Sequence, residues 1–152
     1  MLNKIKATDM LHKKLFLVIT VLFVISAVNA QTAKTPELKG QLDKIFSLCK
    51  SGNYSDLVQL VGIEKDDTHN NDIELPDKNN AKDLNLVKRI GKSINALLTI
   101  SDGHKYQDVI QENYNNFSTY SLMVDFNSGE QTISKKFRFI DLNGVYYLFK
   151  ID

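Results

Sequence analysis

Apolar residues in this chain recur with a helical period up to about residue 100 and alternate along the chain after it. Leu38, Leu42, Ile45, Phe46 and Cys49 form one helical stripe within TPELKGQLDKIFSLCKSGN. Thr35 is placed to cap this helix, Pro36 suits its first position, Glu37 its first turn and Gly52 its end. NYSDLVQLVG predicts a second, short helix capped by Asn53 or Ser55, with Leu57, Leu60 and Val61 facing inward and GIEK adding a brief strand. Residues 64–80 form a polar break rich in Asp and Asn, long for a connection in a small domain. Leu84, Val87, Ile90, Ile94, Leu97 and Leu98 then carry a third helix, with Asn80 as its cap and Asp102-Gly103 after its end. Gly91 in its middle costs about 1 kcal/mol relative to Ala, which points to another element packed close against it.

From His104 onward the chain reads as four strands, HKYQDVIQEN, NFSTYSLMVDF, EQTISKKFRFI and VYYLFKID, joined by short turns. A slip of one residue moves every side chain to the other face, so burial selects the register. A two-residue Asn143-Gly144 turn would pair Arg138 with Phe149 and Phe137 with Lys150, mixing charge with aromatic on both faces. A three-residue Leu142-Asn143-Gly144 loop, with Gly144 in the left-handed bulge position, separates them. It places Phe137, Phe139, Val145, Tyr147, Phe149 and Ile151 on one face and Lys136, Arg138, Tyr146 and Lys150 on the other. An even loop around Ser128-Gly129 adds Tyr120, Leu122, Val124, Phe126 and Ile133 to the apolar face, where only Lys135 intrudes. Asp125 falls on the outer face with Arg138 and Lys136. Helices followed by an antiparallel meander make an α+β domain.

Residues 1–30 read as a signal peptide and stand apart from the fold. Lys4, Lys6, Lys13 and Lys14 form a basic leader, Leu15 to Val28 is uncharged, and Val28 and Ala30 occupy the small-residue positions before a cut. Cleavage is expected between Ala30 and Gln31, with Met10 as an alternative start. The apolar run is shorter than the ~20 residues of a spanning helix, so export to the periplasm or beyond is expected rather than membrane anchoring. The whole chain has 19 basic and 18 acidic residues, and the leader holds four Lys and one Asp. Residues 31–152, the single expected domain, are thus slightly acidic, which argues against capture of nucleic acid or an anionic membrane. Cys49 is the one cysteine; no internal disulfide is available, and its apolar stripe predicts a buried, inert thiol.

Two N-terminal helices, a brief strand, a longer helix and a four-stranded meander ending in FIDLNGVYYLFKID resemble the NTF2-like, cystatin-like superfamily. More narrowly, SGNYSDLVQLV after the first helix and the aromatic closing hairpin resemble small exported Bacteroidetes proteins of that class. The resemblance implies a cone: helices on a strongly curved sheet of about four strands, with a pocket at the wide end. It implies two functional classes, enzymes similar to ketosteroid isomerases or scytalone dehydratases, and modules that only bind or dimerise.

An enzyme of this kind needs a base and hydroxyl donors in an apolar pocket that tunes their pKa values. The candidate pocket residues are His104, Tyr106, Tyr120 and Tyr147, and no inward carboxylate accompanies them. Residues 66–77 (DDTHNNDIELPD, including His69) have oxygen ligands at some positions of a calcium loop but carry Asn71 where Gly is required and Pro76 near the end. No metal and no cofactor is expected. Asn53 and Asn116 lie in Asn-x-Ser sequons, relevant only in a eukaryotic secretory route. The reading that fits best is a non-catalytic exported module binding a small apolar ligand or a protein partner. The alternatives are an isomerase- or dehydratase-like enzyme using the His/Tyr set, and a homodimer joined through an outer sheet face carrying Ile140, Tyr146 and Leu148.

Overall fold

A computed structural model describes residues 35–64, 73–114 and 117–152. The leader with its cleavage point, His69, most of the calcium-like segment and the Asn116 sequon lie outside the described residues.

Helix α1 covers residues 35–51, and Thr35 is already helical rather than a cap. Its stripe Leu38, Leu42, Ile45, Phe46 and Cys49 is buried, as the period requires. Helix α2 (Tyr54–Leu57) runs into a 3₁₀ turn (Val58–Leu60), and the Asn53 side chain accepts from the Asp56 N–H at 3.3 Å. Strand β1 (Ile63–Glu64) pairs antiparallel with β2 (Ile73–Glu74), a strand within the polar break that the periodicity does not show. Helix α3 (Ala81–Ile100) starts at Asn80, whose side chain accepts from the Lys82 N–H at 2.9 Å. Its buried stripe is Val87, Gly91, Ile94 and Leu98. A Cβ at Gly91 would lie 2.7 Å from the Tyr54 ring and 2.9 Å from Leu57, so α2 is the element that requires the glycine.

Four strands follow, β3 (Gly103–Tyr114), β4 (Phe117–Ser128), β5 (Gln131–Leu142) and β6 (Val145–Ile151), in the spatial order β3-β4-β5-β6, all antiparallel. Phe126 pairs with Ile133 and Val124 with Lys135 across a Gly129-Glu130 turn; the expected face alternation holds, one step further along than the Ser128-Gly129 loop. β3 carries a bulge, since Tyr106 pairs with Val124 but Val109 with Leu122, leaving Gln107 and Asp108 opposite one residue.

The closing hairpin corrects the sequence reading. Its turn has two residues, Asn143 and Gly144, both at positive φ (57° and 83°), with Leu142 paired to Val145. The clash of Arg138 with Phe149 is avoided by a bulge in β6 instead: Phe139 pairs with Leu148 and Arg138 with Lys150, so Phe149 is the extra residue. Tyr146 and Leu148 therefore face the helices, whereas Tyr147 and Phe149 face the other way, the reverse of the three-residue loop.

The helices cover one face of the sheet, where Tyr120, Leu122, Val124, Phe126, Phe137, Phe139, Tyr146 and Leu148 complete the main core. On the opposite face Ile73 of β2 packs on Ile140 and Phe149 in a second, smaller cluster. Ile140, Tyr146 and Leu148, expected as an exposed face, are all buried. The residues just before β1 are tied to β6: Val61 forms a parallel bridge with Leu148, and the Gly62 N–H donates to the Leu148 carbonyl at 2.8 Å.

Gly91→Ala is expected to gain about 1 kcal/mol of helix propensity and lose more than that to overpacking, for a net loss of about 1–2 kcal/mol. Urea unfolding measures it, and a stabilised variant would mean that Tyr54 swings clear. Burial pushes the Cys49 thiol up to about 12, so Ellman's reagent at pH 8 is expected to label the protein only after denaturation. Stoichiometric labelling of the native state would contradict that burial.

Candidate functional site

A cleft of about 620 Å³ opens between α3, β1 and β6. The α3 side chains that line it are Leu86, Arg89, Ile90, Ser93 and Leu97. They form the helical row next to the buried stripe, so one helix serves the core with one row and the cleft with its neighbour. Ile63 and Glu64 enter from β1 and Gly62 from just before it, Leu148 to Ile151 from β6, and Lys135 from β5. The floor is mainly aliphatic and the charges are Arg89, Lys135, Lys150 and Glu64.

Two of those four charges are tied to one phenol. Tyr114 donates to the Glu64 carboxylate at 2.5 Å, and the Lys150 ammonium donates to the Tyr114 oxygen at 3.1 Å while lying 5.0 Å from the ring centroid. The hydrogen bond to Tyr114 raises the Lys150 pKa, partial burial opposes it, and the Glu64 charge adds to the rise, so Lys150 stays cationic. No ion pair engages Arg89 or Lys135 among the described residues. The described lining contains one acid, Glu64, and no His or Cys. It can hold an apolar body beside positive charge, and it assembles no acid–base pair.

None of the four sequence candidates lines this cleft. His104 and Tyr106 do meet: the His104 Nε2 lies 3.1 Å from the Tyr106 hydroxyl, which donates to the Asp43 carboxylate of α1. Asp43 is the carboxylate that sequence reasoning missed. It comes from another element, 63 residues away, and nothing in its local sequence marks it. His104 is exposed, with its ring edge-on to Phe46 at 5.1 Å. Burial raises the Tyr106 pKa most, and the hydrogen bond to Asp43 and its charge add to the rise, so the phenol keeps its proton. Tyr120 is in the main core, T-shaped on Tyr146 at 5.5 Å. It is six residues along β4 from Phe126, the partner of His104, roughly 20 Å away at strand rise. Tyr147 is on the opposite sheet face beside Ile140.

That opposite face carries a closed polar network. Glu112 of β3 accepts from Ser121 at 2.9 Å, from Lys136 at 3.1 Å and from Arg138 at 3.1 Å. Arg138 also pairs with Asp152 at 2.6 Å, and Thr119 donates to the Glu112 backbone carbonyl at 3.0 Å. Asp125 lies further along this face, but its partners are Ser134 and Gln107, each at 2.6 Å, rather than Arg138 or Lys136.

No protein-family model matches the chain, and no curated protein is similar to it in sequence. Among solved structures, it is similar to a designed NTF2-like protein at 10% identity and a TM-score of 0.43, covering 78% of this chain and 97% of that one.

Burial alone would raise the Glu112 carboxyl, but hydrogen bonds from Ser121 and Lys136 and the charges of Lys136 and Arg138 outweigh it and hold the pKa below its usual value. The stabilisation is therefore present above the unfolded-state pKa and is lost as pH falls through the lower folded value. Glu112→Gln is expected to lower the urea midpoint at pH 7 and to flatten its fall on acidification below about pH 4.5. An unchanged acid profile would show the network to be energetically silent.

Proposed function

We propose that this chain is an exported, non-catalytic binding domain of the NTF2-like kind, whose cleft between α3, β1 and β6 takes a small apolar ligand. The observation that carries this reading is the cleft itself: about 620 Å³, floored by aliphatic side chains and without an acid–base set in its described lining. Ligand sites typically have ~300–1,000 Å³ and a mostly apolar wall with few polar groups. The NTF2-like reading is supported by the order of elements, two helical segments, a short strand pair, a long helix and a four-stranded meander. Export is supported by the basic and then uncharged leader ending at Ala30. The exposed position of His104, away from the cleft, lends no support to the isomerase-like alternative. The burial of Ile140, Tyr146 and Leu148 lends none to pairing through those residues.

An uncharged naphthylamine dye that brightens in apolar surroundings tests the reading. The wild-type protein is expected to take it up at micromolar concentration. Ser93→Trp, which sets a ring into the cleft from an exposed helix position, is expected to weaken uptake about tenfold or more at unchanged melting temperature. Equal uptake by both proteins would remove the cleft as the site.

A further inference from the structure

Resting on the reading that this cleft binds a ligand, we propose that its ligand is an anionic amphiphile, with the apolar body on the aliphatic floor and an acid group held by Arg89 and Lys135. The first ground is the position of Lys135. It pairs with Val124 on the sheet face that also carries Phe126, Phe137 and Leu122, and it is the only Lys or Arg that β4 or β5 sends to that face. A lysine directed inward on an apolar surface is unfavourable unless its ammonium reaches water or a partner. Lys135 is half-buried and opens into the cleft.

The second ground is the balance of charge within the cleft. Glu64 and Lys150 offset each other across the Tyr114 hydroxyl, so they add no net field for a ligand. Arg89 and Lys135 remain, one from the helix and one from the sheet, with no described anion between them. A neutral ligand would partly strip water from half-buried Lys135 and return nothing for it, while Arg89 is exposed at the rim. A carboxylate, sulfate or phosphate head compensates both, and the Arg89 fork suits a two-oxygen acid. The aliphatic floor of Ile63, Leu86, Ile90 and Leu97 excludes a purely polar anion as the best fit.

Decanoate and decanol carry the same alkyl chain and differ in charge, so calorimetric or dye-displacement titration of the pair at pH 7.5 isolates the acid group. Decanoate is expected to bind about tenfold or more tightly than decanol at low salt, and the gap is expected to narrow as salt screens it. Arg89→Gln combined with Lys135→Gln is expected to erase the preference by weakening decanoate binding about tenfold or more. An unchanged melting temperature shows that the variant is folded. Equal binding of the two ligands by the wild type overturns the anionic assignment and leaves the cleft as an apolar site. A preference that survives in the double variant overturns the role of these two cations. Binding of neither ligand, nor of the dye, overturns the cleft reading and this inference with it.

Discussion

Phe149 is one residue more than a regular β6 ladder would hold, and much of the structure follows from where it goes. The Asn-Gly turn enforces an even register, in which Tyr146 and Leu148 face the helices. Continued without interruption, that register would set Phe149 against Arg138. Inserting Phe149 as a bulge returns Ile151 to the helix side opposite Phe137 and keeps the aromatic ring buried on the other face. There it joins Ile140 under Ile73, so the second cluster anchors the β1–β2 pair beside the edge of β6. That pair supplies one wall of the cleft. A local irregularity in the last strand thus fixes a site built mostly by other elements.

Helix placement was legible because the stripes of α1 and α3 repeat over several turns and burial on one side is all they must satisfy. Asn53 and Asn80 could be named as caps, and Gly91 as a close approach, since each follows from a backbone need visible locally. The hairpin is not legible in the same way, because the parity of apolar positions distinguishes loop lengths only along an uninterrupted ladder. The chain keeps the tight turn and changes register further along the strand, which parity cannot show. β2 escaped notice because two residues are too short for a period. The cleft escaped because its wall on α3 is the half-buried row beside the core stripe, and Leu86, Ile90 and Leu97 read as core. Lys135 did stand out as a charge on an apolar face, but the sequence gives no reason for it.

Among the described residues, charge is partnered on the outer sheet face and unpartnered at two positions of the cleft. Around Glu112 every charged group has a partner, and Ser121 and Thr119 are buried because that network accepts their hydroxyls. The charged members are partly exposed, and only the two hydroxyl residues are fully buried. Beside that network on the same face the Tyr114 phenol bonds both Glu64 and Lys150, whereas Arg89 and Lys135 of the cleft have no described ion-pair partner. The Glu112 network ties β3, β4 and β5 together through side chains.

The bulge at Gln107 and Asp108 has a consequence for how copies of this domain coexist. β3 is the outermost strand of the four, and an open strand edge is a template on which another chain can add by backbone pairing. Two residues opposite one break the even spacing of its free N–H and C=O groups near the middle of the strand. Lys105 and Asp108 place charge on that stretch, and at the other end of the sheet the β1–β2 pair occupies the flank of β6. The sheet is in this way guarded at both margins against runaway growth into fibres, a safeguard for a protein with 12-residue strands and no disulfide to hold it closed.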